Sequence, residues 1–129
     1  MTKTKHMKIA VVLFIACSFL NCSQPKNVTL YVTNINEAEQ SINLKAYVND
    51  SLCVNSRFKY STTTPNYDVF EYKFNKGDYT LRVLVNEKEL LKDTFNLKTN
   101  MFIFISYGRG SEDEGRIFLK KTTINYKLH

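Results

Sequence analysis

The chain is short of the residues that most enzymes work with. Its 129 residues include two histidines, His6 near the start and His129 at the last position. A Ser-His or Cys-His dyad, a histidine general base or a His-rich zinc site would have to use one of these, which argues against the common hydrolases. Only four glycines occur, Gly77, Gly108, Gly110 and Gly115, and they form no phosphate-cradling loop. Tryptophan is absent, and no long stretch has the 3.6-residue period of an amphipathic helix. The sequence therefore offers no enzyme chemistry, no cofactor and no resident metal.

What it does have is phenylalanine (9), tyrosine (8) and many β-branched residues, within 43% hydrophobic content. That composition suits strands, in a single small domain. The formal charge is +6, but Lys3, Lys5 and Lys8 lie in a leader; without them 15 basic residues face 12 acidic ones, leaving +3. The remaining basic residues are spread one or two per strand or turn, so no nucleic-acid footprint is formed.

The strongest period-two signal runs from Asp68 to Leu97. Phe70, Tyr72 and Phe74 alternate with polar residues; Tyr79, Leu81, Val83 and Val85 follow the Asn75-Lys76-Gly77-Asp78 turn; a third run ends in Phe95 and Leu97. This predicts three consecutive antiparallel strands, a meander. Upstream, Thr29–Thr33 and Ser41–Val48 read as strands, Asn49-Asp50 as a turn, and Leu52–Tyr60 as a strand with a bulge before a loop holding Pro65. Downstream, Met101–Tyr107 is apolar on both faces and should lie in the interior. The last strand reads as interrupted, Arg116–Leu119 and then Thr122–Leu128. Ile42–Phe58 and Tyr79–Phe95 align without gaps, matching at Leu44/Leu81, Val48/Val85, Asn49/Asn86 and Phe58/Phe95, as two hairpins of one design in facing sheets. About eight strands in this length predict an all-β antiparallel sandwich of about seven to eight strands, immunoglobulin-like or related.

The first residues have the layout of a secretory signal: a basic start, the uncharged run Ile9–Leu20, then Leu20-Asn21-Cys22-Ser23. Twelve helical residues span about 18 Å, well short of the ~30 Å hydrocarbon core. A hydrophobic run ending in a cysteine before Ser-Gln-Pro-Lys-Asn resembles the lipobox of bacterial lipoproteins. The resemblance implies cleavage after residue 21, acylation of Cys22, a tether over 22–27 and a sandwich domain over 28–129, outside the cytoplasm and lipid-anchored in the envelope, at the outer membrane. Cys17, preceded by Ala16, is a rival lipid site. Several acyl chains, each contributing about 0.8 kcal/mol per buried CH₂, would hold the domain on a bilayer.

With Cys22 acylated, Cys53 is the single free thiol, read as a small buried apolar residue. Gly77-Asp78-Tyr79-Thr80-Leu81 resembles the tyrosine-corner region of immunoglobulin-like, fibronectin-like and transthyretin-like sandwiches. Two stretches are candidates for contact. The loop from Gly108 to Arg116 carries Glu112, Asp113 and Glu114; adjacent acids point in different directions, unlike the alternating ligands of a calcium loop, so it reads as a solvated hairpin loop whose acids are offset by Arg109 and Arg116, with contact to a basic partner as the functional alternative. The tyrosines Tyr31, Tyr47 and Tyr107, with Tyr60 and Tyr67, are candidates for a platform on a sheet face that stacks on a glycan or packs on a protein. The expected role is non-enzymatic, a binding or assembly module for another envelope protein, with a carbohydrate or small-ligand module as the alternative.

Overall fold

The computed structural model describes residues 24–61, 66–111 and 114–123. They form eight strands: β1 Lys26–Asn34, β2 Ser41–Val48, β3 Ser51–Lys59, β4 Asp68–Phe74, β5 Gly77–Val85, β6 Lys88–Leu97, β7 Met101–Arg109 and β8 Gly115–Thr122. The strands make two four-stranded sheets, sheet A in the order β4-β1-β7-β8 and sheet B in the order β3-β2-β5-β6. Alternation in the sequence becomes alternation in burial. Val28, Leu30 and Val32 of β1 and Ile103 and Ile105 of β7 are fully buried against Leu44, Ala46, Leu81 and Val83 of sheet B. Each large aliphatic side chain removed from water in this way contributes about 1.5–3 kcal/mol.

The chain is thus the all-β sandwich its alternation predicts, but the strand order is not that of an immunoglobulin domain. There the first strand pairs with the second; here β1 lies between β4 and β7, and it runs parallel to β7. The related-sandwich arm of the expectation is the one that stands. The segment likened to a tyrosine corner makes a local bond. Tyr79, two residues before the fully buried Leu81, donates its Oη to the carbonyl of Asn75 at 2.5 Å, and burial pushes its phenol above the ordinary tyrosine range.

The meander over Asp68–Leu97 does not form. β4 pairs with β1 in sheet A, whereas β5 and β6 make a hairpin in sheet B. Two-residue hairpin turns require positive φ at their central residues. Asn49 (52°), Asn86 (50°) and Glu87 (70°) supply it, and Asn75 and Lys76 do not. Asn75-Lys76 instead carries the chain across the sandwich, with Gly77 at φ 151° on the far side.

The repeated hairpins are real but lie in one sheet, not in facing sheets. β2–β3 and β5–β6 join side by side through β2 and β5. Asn49 N donates to Thr80 O and Asn49 Oδ1 accepts from Thr80 N, both at 2.8 Å; Asn86 does the same with Asn43, at 2.8 and 2.9 Å. Each turn asparagine therefore caps the start of the other hairpin. The predicted bulge in β3 falls at Cys53, unpaired between Val54 and Leu52, and β6 has a matching irregularity at Leu90. Cys53 is buried and free, as expected, and burial pushes its thiol pKa up.

Side-chain clasps close both flanks of the sandwich. Tyr72 Oη donates to Cys53 O at 2.5 Å between β4 and β3. Lys121 Nζ, at 2.8 Å from both, donates to Thr94 O and pairs with Asp93 between β8 and β6. β8 runs unbroken through Lys120 and Lys121, in place of the interruption expected there. Residues 124–129 lie outside the described residues.

Candidate binding face

In sheet B the outer face carries Asn43, Lys45 and Tyr47 on β2 and Thr80, Arg82 and Leu84 on β5. Two of its cations are paired within the sheet. Lys45 pairs with Glu87 at 2.8 Å, and that bond holds the ammonium pKa above its ordinary value. Arg82 reaches Glu89 at 3.4 Å and lies 4.7 Å over the Tyr47 ring. Leu52, 47% exposed, stands beside Tyr47 in the same row and Lys92 stands opposite Arg82, so this is a mixed, solvated sheet surface.

The outer face of sheet A differs at its centre. Register places Val69, Tyr31, Phe104 and Lys120 in one row across β4, β1, β7 and β8, with Phe102 on an adjacent row beside Thr29. Tyr31 and Phe104 stack at 4.6 Å and 9°. Tyr67 meets both edge-on, at 6.1 and 5.6 Å. The next row outward holds Thr33, Ser106 and Phe118, and Phe118 with Ile35 flanks Gly108 so closely that a Cβ there would lie 2.8 Å from the Phe118 ring. Val69, Ile35 and Phe118 are 56%, 46% and 42% exposed. An apolar band therefore crosses the face from β4 to the β7–β8 end. Because Tyr31 and Phe104 spend one ring face on each other, with Val69 and Lys120 next in the row, the band shows mainly ring edges and aliphatic carbon.

The candidate residues from the sequence are dispersed. Tyr31 is in the band. Tyr47 lies on the opposite outer face under Arg82. Tyr107 is not on a surface at all: it is 3% exposed, and its Oη donates to Glu39. Burial and then the Glu39 carboxylate push its pKa up to about 12, so it is a fixed proton donor. Around it Asn34 donates to Glu39 O at 2.8 Å and Asn36 to Glu39 Oε2 at 3.3 Å, a knot that ties the β1–β2 loop to β7. Glu114 is exposed, and Glu112, Asp113 and Cys22 lie outside the described residues.

Phe104, Phe118, Val69 and Ile35 escaped the sequence reading. Apolar residues on both faces of Met101–Tyr107 predict cover on both sides, yet Phe102 and Phe104 are only half-buried, under their neighbours in the sheet. Among the described residues no group of three or more His, Cys, Asp or Glu is placed to hold a metal ion. A shallow depression of about 430 Å³ at the end of β5–β6 is lined by Asp78, Tyr79, Thr80, Thr94, Phe95 and Asn96. The Asp78 carboxylate there already accepts from Asn96 at 2.6 Å.

No protein-family model matches the chain, and no curated protein does. Among solved structures it is similar to a candidate cell adhesion protein from Bacteroides ovatus, at 8% identity and a TM-score of 0.36, over 82% of this chain. The chain spans 46% of the length of that protein.

Proposed function

We propose that the chain is a non-enzymatic binding module of a bacterial envelope, lipid-anchored through Cys22, that docks another envelope protein on the outer face of sheet A. The apolar band around Tyr31, Tyr67 and Phe104 supports the docking: Val69, Ile35 and Phe118 stand exposed along it, whereas on the outer face of sheet B Leu52 is the exposed large apolar residue among polar and paired groups. Isolated exposed apolar residues need no explanation, but a contiguous band rimmed by polar groups marks a contact surface. The lipobox-like sequence supports the anchor, and the scarcity of histidine supports a role without catalysis.

Cross-linking in intact cells, followed by mass spectrometry, tests both parts. An acylated Cys22 peptide and a stoichiometric envelope protein cross-linked to sheet A are the expected result. An unmodified N-terminus removes the anchor, and cross-links unchanged by Val69→Ser with Phe118→Ser remove the docking face. A glycan partner requires an open ring face, for which Tyr67 is the candidate. Glycan-array binding lost in Tyr67→Ala would therefore replace the protein partner with a carbohydrate.

A further inference from the structure

Two crossings between the sheets, Asn75-Lys76 from β4 to β5 and Lys98-Thr99-Asn100 from β6 to β7, lie at one end of the sandwich. Gly77 pairs with Leu97 there, and Asn27 N donates to Asn100 Oδ1 at 2.9 Å. β1 starts at the same end, with Lys26 opposite Phe74 and Asn27 opposite Lys73. Topology thus gathers Lys26, Lys76 and Lys98 from three separate stretches of chain. Lys73 stands on the β4 edge, where a charge also discourages strand addition; the other three have no such duty. Lys76 and Lys98 are exposed and Lys26 is half-buried. Among the described residues none of the three makes an ion pair or a side-chain hydrogen bond. Asp78, close by in the chain, turns to the outer face of sheet B and accepts from Asn96 at 2.6 Å. Glu71 lies one row further in on β4, opposite Thr29, and Asp50 lies in the β2–β3 turn.

The opposite end is finished differently. Glu37, Glu39, Glu87 and Glu114 stand there among Lys59, Lys88 and Arg109, and two pairs are closed, Arg109 with Glu37 at 3.6 Å and Lys45 with Glu87 at 2.8 Å. Unpaired ammonium groups gathered at one end attract an anionic surface, and the chain leading in says which surface. On the anchor proposed above, Lys26 follows Cys22 by four residues, a reach of at most about 14 Å. The lysine end is therefore the one held at the headgroups. We infer that the end bearing Lys26, Lys76 and Lys98 rests on anionic phospholipid headgroups of the membrane that holds the anchor. The strands then run roughly along the membrane normal. The outer face of sheet A looks sideways, toward proteins held in the same bilayer. This orientation rests on the anchor; the affinity of the lysine end for anionic headgroups does not.

All eight strands lie within Lys26–Thr122, so an isotope-labelled chain beginning at Ser23 keeps the sandwich and lacks both leader and lipid. The probe is vesicles of phosphatidylcholine with and without phosphatidylglycerol, at low and at physiological salt, with a trace of lipid carrying a gadolinium headgroup to mark the nearest amides. The expected result is binding to the anionic vesicles alone, weakened by salt, with broadening centred on residues 26, 73–76 and 98–100. Each lysine at an anionic surface is worth about fivefold in partition, so Lys26→Gln with Lys76→Gln and Lys98→Gln should lower it roughly a hundredfold. Lys59→Gln with Lys88→Gln, at the opposite end, should change it little, and the amide spectrum reports that each variant is folded. No binding at low salt, broadening centred on the opposite end, or a partition unmoved by the triple variant overturns the inference. Displacement by glycerol phosphate beyond that by chloride at equal ionic strength would replace the membrane with a soluble phosphate ligand. The anchor is read separately, from the Cys22 peptide: an unmodified Cys22 beside the expected vesicle result removes the orientation and leaves the headgroup affinity.

Discussion

The two outer faces of this sandwich cover the same core and are built from strands of nearly equal length, yet they are finished differently. On sheet B the central strands expose charges that find partners within the sheet: Lys45 with Glu87, Arg82 with Glu89 and Tyr47. On sheet A they expose a stacked Tyr31–Phe104 pair bordered by Val69 and, one row on, by Phe118. Neither face is needed to close the core, since Leu30, Ile103, Leu44 and Val83 are already at 0% exposure. The difference is therefore not set by the core, and on the reading proposed above it separates residues kept for folding from residues available for contact.

The most damaging way to break the contrast is from beneath. A Cβ at Gly115 would fall on the Tyr107 ring, so Gly115→Ala must displace a buried tyrosine from the end of sheet A. Overpacking of this kind costs about 3 kcal/mol, to be read from the urea midpoint, and partner binding should be lost with it. The same tyrosine gives an alkaline signature. Its pKa is raised to about 12 in the fold, chiefly by burial, against about 10 in the unfolded chain. Its contribution is whole below pH 10 and is lost as pH rises toward 12, a decline of about 2–3 kcal/mol at 1.36 kcal/mol per unit. Tyr107→Phe should flatten the stability curve in that window; an unchanged slope would show that Tyr107 is not the group responsible.

Sheet B can be probed through its symmetry. Asn49→Ala and Asn86→Ala each force a Cβ residue without a turn-bonding side chain into left-handed backbone, costing roughly 1–2 kcal/mol for the backbone alone. Since the two turns bond each other's hairpins in the same way, the two losses should be alike. Lys121→Met opens the β8–β6 flank. Asp93 is held below its usual carboxylate range, first by the Lys121 hydrogen bond, so the pair stabilises the fold above pH ~4 and the benefit fades as Asp93 protonates on acidification. For an exposed pair the effect is under about 1 kcal/mol at neutral pH, and the gap between variant and parent should close in acid.

The smallest stability changes carry the sharpest functional comparison. Phe118→Ser on sheet A and Arg82→Ser on sheet B are both surface changes, expected within about 0.5 kcal/mol of the parent. Phe118→Ser should remove partner capture and Arg82→Ser should not. The reverse result would move the contact surface to sheet B.

Period-two patterning located the strands and their inward sides, and the turn asparagines at 49 and 86 marked the two hairpins of sheet B. Sheet membership was not legible. An inward residue such as Phe74 has the same alternation whether its strand turns back on itself or crosses to the other sheet, and the deciding feature, the φ values at Asn75 and Lys76, is not written in residue type. Tyr107 was misplaced for a related reason. It continues the inward series Met101, Ile103 and Ile105, and only the arrival of Glu39 and Asn36 from a loop about 70 residues away in sequence gives its hydroxyl a buried partner. The apolar band of sheet A was hidden because it draws on four strands, each giving one or two unremarkable residues.

The parallel pairing of β1 with β7 also sets the order in which the molecule can assemble. Sheet B is made of two hairpins with short turns, whose closure is local and fast. The centre of sheet A joins Val28 to Met101, 73 positions apart, and contacts so distant in sequence form late because the entropy of closing the loop comes before the gain. The face on which Tyr31 meets Phe104 is consequently expected to form after the two hairpins of sheet B, and a partner that read it would meet molecules whose sheet B is already in place.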